Sequence, residues 1–127
     1  MSSLQELPIQ GINLRVIDDG VIFDLQGGQK FILGRSSYRD ENELEEPSDL
    51  EIDLSPYQAY EAGVSRQHAI IQLDDKGATV TDLGSANGTR LNGRTIPANI
   101  PQLLEYGDIL TLGKFKLEIL KWQTQGK

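Results

Sequence analysis

Hydrophobic and polar residues alternate in a series of short segments along the chain. The clearest is Phe115-Lys116-Leu117-Glu118-Ile119, whose strict alternation is typical of a strand with one buried face. Segments 13–17 and 21–25 flank Asp18-Asp19-Gly20, and β-branched runs beside Asp-Gly predict a hairpin. Further short strands are predicted at 30–33, 51–54, 68–73, 78–83, 95–96 and 109–112. About ten short strands without a long helix indicate an antiparallel β-sandwich.

The alternation stops between Ser36 and about Leu50, before the loop that carries Ser65. Charged and small residues predominate there, and Pro47 interrupts any helix. We expect a long acidic loop. Loops of this length are uncommon in compact domains unless they have a function, although a solvated insertion without a role is the alternative.

Two other regions lack a clear strand pattern. Residues 58–61, which follow Ser55-Pro56-Tyr57, are expected to form a helical turn. Pro97 and Pro101 are expected to interrupt regular structure after residue 96.

The chain has 127 residues, which is enough for one domain with a substantial core. We expect this domain to span residues 12–121, with polar tails at 1–11 and 122–127. The absence of cysteine excludes disulfides and thiolate metal sites, and no cofactor is predicted. Because the N-terminus lacks the pattern of a signal peptide and no long apolar run occurs, we expect a soluble, cytoplasmic protein without membrane contact.

The formal net charge of −7 is concentrated in one stretch. Without its eight carboxylates, the rest of the chain has a net charge of +1, which is nearly neutral. Because a protein that binds the phosphate backbone of nucleic acid needs a basic face, nucleic acid is a poor candidate for a partner. The eight residues are Asp40, Glu41, Glu43, Glu45, Glu46, Asp49, Glu51 and Asp53.

Small polar and cationic residues stand where predicted strands end or begin. They occur at Gly34-Arg35, at Ser65-Arg66-Gln67-His68 and over the segment 82–89. Because loops at one end of a β-sandwich converge, these residues predict a common site.

Ser65, His68 and Asp82 also allow the interpretation of a hydrolase triad. The chain has no Gly-x-Ser-x-Gly nucleophile elbow, which makes this interpretation much the weaker one. A single histidine and no cysteine also argue against a zinc site.

Five short motifs follow one another along the chain. They are Gly34-Arg35, Ser65-Arg66-x-His68, Asp82-Leu83-Gly84-Ser85-x-Asn87-Gly88-Thr89, Leu91-Asn92-Gly93 and Gly107-Asp108-x-Leu110-x-Leu112-Gly113. This ordered set resembles the forkhead-associated (FHA) domain family and covers about residues 14–120. The resemblance implies an antiparallel sandwich of about eleven strands and no enzymatic activity. It also implies loops that bind phosphothreonine peptides, with a Ser/Thr protein kinase or its substrates as partners.

The resemblance assigns roles to individual residues, and these roles suit the chemistry of a phosphate. Arg35 would bond two phosphate oxygens, and Ser65 would offer its hydroxyl and its backbone N–H. Arg66 would add charge or hold the peptide chain, and the amide of Asn87 would bond the peptide backbone. His68 would hydrogen-bond loop backbone and hold Ser65. The remaining binding positions are Ser85 and Ala86, and the remaining supporting positions are Gly34, Asp82, Gly88 and Thr89.

One position departs from the family pattern. Many members have Thr or Ser before the Asn-Gly pair, whereas this chain has Ala86. Loss of one charge-assisted hydrogen bond would weaken binding by about 1.5 to 3 kcal/mol, unless Ser85 or a backbone N–H replaces it. The alternative function is therefore a scaffold or oligomerisation domain that does not depend on phosphorylation.

The acidic loop suggests a preference among peptides. It should border the peptide groove, so its carboxylates would repel acidic peptides and favour Lys or Arg beside the phosphothreonine.

Overall fold

The structure, a computed structural model, describes residues 9–26, 29–35, 49–74 and 77–124. Within these ranges the chain forms eleven strands and one short 3₁₀ turn at Ser55–Tyr57. The strands are β1 (Ile9–Val16), β2 (Ile22–Gln26), β3 (Lys30–Gly34), β4 (Asp49–Asp53), β5 (Ala69–Asp74), β6 (Gly77–Asp82), β7 (Thr89–Leu91), β8 (Arg94–Thr95), β9 (Gln102–Leu104), β10 (Ile109–Leu112) and β11 (Phe115–Thr124).

Two sheets pack face to face, which confirms the predicted β-sandwich. One sheet has six strands in the order β2-β1-β11-β10-β7-β8, and the other has five in the order β4-β3-β5-β6-β9. Most neighbouring strands pair antiparallel, as predicted, but β3 and β4 pair in parallel. A parallel pair needs a long connection, and the chain between Gly34 and Asp49 is long enough to return to the same end of the sheet.

The predicted hairpin near the N-terminus is confirmed, with β1 and β2 antiparallel and Leu14 opposite Phe23. Strand β1 begins at Ile9, inside the stretch expected to be a tail, and β11 continues to Thr124. Residues near both chain ends lie in strands because β1 pairs with β11 from Ile9, opposite Thr124, to Val16.

Three local predictions differ from the structure. The helical turn lies at Ser55–Tyr57 rather than at residues 58–61, because Pro56 suits its first turn and Gln58 adopts the left-handed conformation that ends it. Strand β8 covers Arg94–Thr95 rather than 95–96. Strand β9 was not predicted, but it follows Pro101 directly and pairs with β6 at the sheet edge.

The predicted acidic loop lies outside the described residues from Ser36 to Ser48. Of its eight carboxylate residues, Asp49, Glu51 and Asp53 fall in β4.

The core consists of the inward-facing residues that the alternation marks. Phe31, Leu33 and Ile71 from one sheet and Leu14 and Leu117 from the other have no exposed surface. Burial of each such side chain stabilises the fold by about 1.5 to 3 kcal/mol. The packed strands in turn support the loops that join their ends. Within the described ranges, none of the helical structure has the length and apolar character needed for a membrane span.

Candidate functional site

The end of β3 lies against the loop that precedes β5. A Cβ atom on Gly34 would lie 1.7 Å from the carbonyl oxygen of Arg66 and 3.2 Å from that of Ser65. Only glycine permits this approach of two backbones. Gly34 thus brings the Gly34-Arg35 motif beside the motif that begins at Ser65.

The side chain of Arg35 is restrained at two points. Its Nε donates a hydrogen bond to the carbonyl oxygen of Val64 at 2.7 Å, and its Cζ lies 4.9 Å from the centre of the Tyr60 ring. The Ser55 hydroxyl also donates to the Arg35 carbonyl oxygen. In the part of the chain that the structure describes, the terminal guanidinium nitrogens have no hydrogen-bond partner. Of the Arg35 guanidinium nitrogens, Nε is thus the one that bonds a described residue.

Ser65 is held from both sides. Its backbone N–H donates to Nδ1 of His68 at 3.0 Å, and its hydroxyl oxygen accepts from the backbone N–H of Ala86 at 3.0 Å. The prediction that the Ser65 N–H is available to a ligand is therefore wrong, because the histidine ring takes it. The hydroxyl hydrogen is the donor that Ser65 can still offer.

His68 is fully buried and bridges two loops. Nδ1 accepts from Ser65, so Nε2 carries the proton and donates to the carbonyl oxygen of Gly88 at 2.9 Å. Burial lowers the pKa of His68 below 6.5, although the Gly88 bond and the charge of Asp82 act in the opposite direction. Both ring nitrogens bond backbone groups, so the ring is not placed to take a proton from the Ser65 hydroxyl, as a hydrolase would require.

Asp82 organises the turn between β6 and β7. Its carboxylate accepts from the backbone N–H groups of Gly84 and Ser85 and from the hydroxyls of Ser85 and Thr89, the last two at 2.6 Å. Burial alone would raise the pKa of Asp82, but these hydrogen bonds outweigh it and hold the pKa below 3.8. Asp82 thus ties Thr89 to the turn through a hydrogen bond.

The hydroxyl of Ser85 is engaged on both sides. It donates to Asp82 and accepts from the backbone N–H of Gly88 at 2.9 Å. The positive φ of 84° at Gly88 lets the turn make this bond. Ser85 therefore supports the turn, and it cannot donate to a phosphate without leaving Asp82. The role of Ser85 as a residue that binds the phosphopeptide stays a prediction.

Asn87, Ala86 and Arg66 are exposed around the same point. The Asn87 amide donates one hydrogen bond to the Gly63 carbonyl oxygen at 2.9 Å, which orients its side chain. Beside it lies an open pocket of about 420 Å³. The pocket is lined by Glu61, Ala62, Gly63, Asn87, Arg90, Gly113 and Lys114.

Sequence reasoning missed the segment that supports Arg35 and Asn87. Tyr60 stacks on Arg35, and Gly63 has a φ of 85° and stands so close that a Cβ would lie 2.8 Å from the Asn87 amide nitrogen. Gly113 approaches the same segment, since a Cβ there would lie 2.5 Å from the Ala62 carbonyl oxygen. In the sequence, Tyr60 and Gly63 are an aromatic residue and a glycine in a polar turn. Nothing in that pattern indicates that they contact Arg35 and Asn87.

Fold and site together define a β-sandwich binding domain whose polar groups meet at one end. The family model described as FHA domain matches residues 31–113. The chain belongs to the FHA domain family.

Similar proteins support this assignment. The glycogen accumulation regulator GarA of Mycobacterium tuberculosis is 38% identical over 64 residues, which are 50% of this chain and 38% of GarA. The match thus spans less than half of that relative. The FHA domain of FhaA, solved in complex with the intracellular domain of Rv3910, is 26% identical with a TM-score of 0.58, and the match covers 85% of this chain and 98% of that chain.

A second solved chain comes from a structural and functional analysis of phosphothreonine-dependent FHA domain interactions. It is 25% identical with a TM-score of 0.62, and the match covers 87% of this chain and 95% of that chain. The fold therefore extends over nearly the whole of that neighbour.

Proposed function

We propose that this FHA domain is a binding module, not an enzyme, that captures phosphothreonine on protein partners in Ser/Thr kinase signalling. The observation that carries the proposal is the state of Arg35. Its Nε is bound to Val64, and its terminal nitrogens have no partner among the described residues. A guanidinium held in this way suits two oxygens of one phosphate.

Ser65 supplies a second donor next to Arg35. Its hydroxyl oxygen accepts from Ala86, and the hydroxyl hydrogen can still be donated to a phosphate oxygen. A phosphate monoester carries about −1.5 to −2 charges at neutral pH and three acceptor oxygens. Arg66, exposed beside Ser65, adds a positive charge for the phosphate or the peptide chain.

Asn87 holds the peptide backbone. One of its amide hydrogens is bound to Gly63, which fixes the side chain and leaves the amide oxygen and the second hydrogen for a peptide group. The relative solved for its phosphothreonine-dependent interactions supports threonine as the phosphorylated residue.

Ala86 has no hydroxyl to offer a phosphate, and the two neighbouring donors considered as its replacement both have partners among the described residues. The Ser85 hydroxyl is bound to Asp82 and Gly88, and the Ala86 N–H is bound to Ser65. Affinity should be lower by about 1.5 to 3 kcal/mol than with a hydroxyl at residue 86. The same observation favours the second candidate, a scaffold or oligomerisation domain that keeps the fold and binds without phosphate.

Calorimetric titration with peptide pools tests the proposal. We expect a phosphothreonine pool to bind and its unphosphorylated and phosphoserine counterparts to bind weakly or not at all. Arg35→Ala should abolish binding, Arg94→Ala on exposed strand β8 should leave it unchanged, and Ala86→Thr should strengthen it roughly tenfold or more.

Two outcomes would change this conclusion. If no pool binds the native protein, or if partner capture survives phosphatase treatment, the scaffold function replaces the proposed one. Pools with basic and acidic flanks test the role of the acidic stretch, because its carboxylates should favour basic flanks at low salt. Equal affinity for both pools would contradict that preference.

A further inference from the structure

Tyr60 is a large aromatic residue that is 70% exposed on an otherwise anchored turn. The backbone N–H of Gly63 donates to the Tyr60 carbonyl oxygen at 3.0 Å, and that of Val64 donates to the Ala59 carbonyl oxygen at 3.0 Å. Ala59 is completely buried and Val64 almost so. The turn therefore holds the tyrosine in place while its ring lies in solvent.

The ring contacts Arg35. The 4.9 Å between the Arg35 Cζ and the ring centre lies within the range of a cation–π interaction. The same turn supplies the Val64 carbonyl that binds the Arg35 Nε. The ring restrains the charged end of the side chain and the Val64 carbonyl restrains its Nε, so Arg35 is held at two points.

Arg66 provides the contrast. It is exposed, and the described residues offer it neither an aromatic face nor a hydrogen bond. An arginine side chain without restraints loses rotamer freedom when it binds a ligand, and this loss reduces affinity. Of the two arginines at the site, Arg35 is the one that is oriented before a ligand arrives.

We propose that Tyr60 is a positioning residue, which stacks on Arg35 and orients its terminal nitrogens toward the phosphate. This inference rests on the proposed function. Orientation of Arg35 should depend on the aromatic ring of Tyr60 and not on its hydroxyl group.

The test compares Tyr60→Phe and Tyr60→Leu, with Tyr106→Leu as a matched control at another exposed tyrosine, 59% exposed. The probe is the phosphothreonine peptide pool. We expect Tyr60→Leu to weaken binding about two- to tenfold, and we expect Tyr60→Phe and Tyr106→Leu to bind as the native protein does. Thermal unfolding should show that all variants fold.

A second readout needs no ligand. In the NMR spectrum of the ligand-free protein, the Arg35 Nε–Hε signal should carry a ring-current shift that Tyr60→Leu removes and Tyr60→Phe keeps. Native affinity and an unchanged Arg35 signal in Tyr60→Leu would overturn the proposal, as would equal weakening by Phe and Leu. If the native protein binds no pool, the proposed function fails, whereas the Arg35 signal still reports whether Tyr60 orients the side chain.

Discussion

Replacement of Gly34 by alanine tests whether close backbone contact builds the site. No positive φ restricts residue 34, so the added methyl group acts through space alone. It would lie 1.7 Å from the Arg66 carbonyl oxygen, and this separation must grow by about 1.7 Å or more to reach ordinary contact. Because the opposing atom is backbone, no rotamer change can relieve the clash.

The consequence should appear in both stability and binding. Overpacking of this kind typically lowers the free energy of unfolding by about 1 to 3 kcal/mol. The displaced loop carries Ser65, whose 3.0 Å bond to Ala86 would not survive such a shift. Loss of the Ser65 contact to a phosphate should weaken peptide binding by about 1.5 to 3 kcal/mol, or at least tenfold.

Denaturant unfolding and calorimetry measure the two effects, with Gly20→Ala as the control. Gly20 has a φ of 78°, and a Cβ there would have no heavy atom within 4 Å, so alanine meets backbone strain only. We expect that variant to lose about 1 to 2 kcal/mol of stability and no affinity. A Gly34→Ala protein with native affinity and stability within about 0.5 kcal/mol of the native value would refute the reasoning.

Four further predictions concern buried polar groups. Burial lowers the pKa of His68, so below pH 6.5 the unfolded chain binds a proton that the folded protein does not. The free energy of unfolding should therefore fall as pH drops below 6.5. A free energy of unfolding that stays constant from about pH 7.5 to about pH 5 in denaturant titrations would contradict this. The lowered pKa of Asp82 adds a similar loss only as pH falls below 3.8. The Thr81 hydroxyl is buried without a partner in the described ranges, so Thr81→Val should leave stability unchanged or raise it by up to about 1 kcal/mol in thermal unfolding. Thr89→Val removes a donor to Asp82 and should cost about 1.5 to 3 kcal/mol; equal destabilisation by both valines would be the contrary result.

Much of the fold could be predicted because strand formation follows local burial. The alternation over 115–119 predicts the inward face of β11, and the Asp-Gly turn predicts the β1–β2 hairpin. The parallel pairing of β3 with β4 could not be predicted, since it depends on where the chain returns after a long connection. Strand β9 was missed because pairing with β6, rather than its own pattern, makes it a strand.

At the site, the sequence likewise predicted which residues take part but not which groups they bond. The motifs named Ser65, Ser85 and His68, and the structure brings all three into one network. Whether each N–H or hydroxyl bonds the protein or remains for a ligand was not readable from the motifs. The structure binds the Ser65 N–H to His68 and the Ser85 hydroxyl to Asp82.

The sequence by itself predicted most of the strands, the family and the residues that meet at one end of the sandwich. The tertiary structure alone decided the bonds among them, the clash that requires Gly34, and the stacking of Tyr60 on Arg35. The physical reason is that the two kinds of information act over different distances along the chain. Side-chain periodicity records whether each position faces the core, whereas a hydrogen bond or a backbone contact depends on a few ångströms between loops that are distant in the chain.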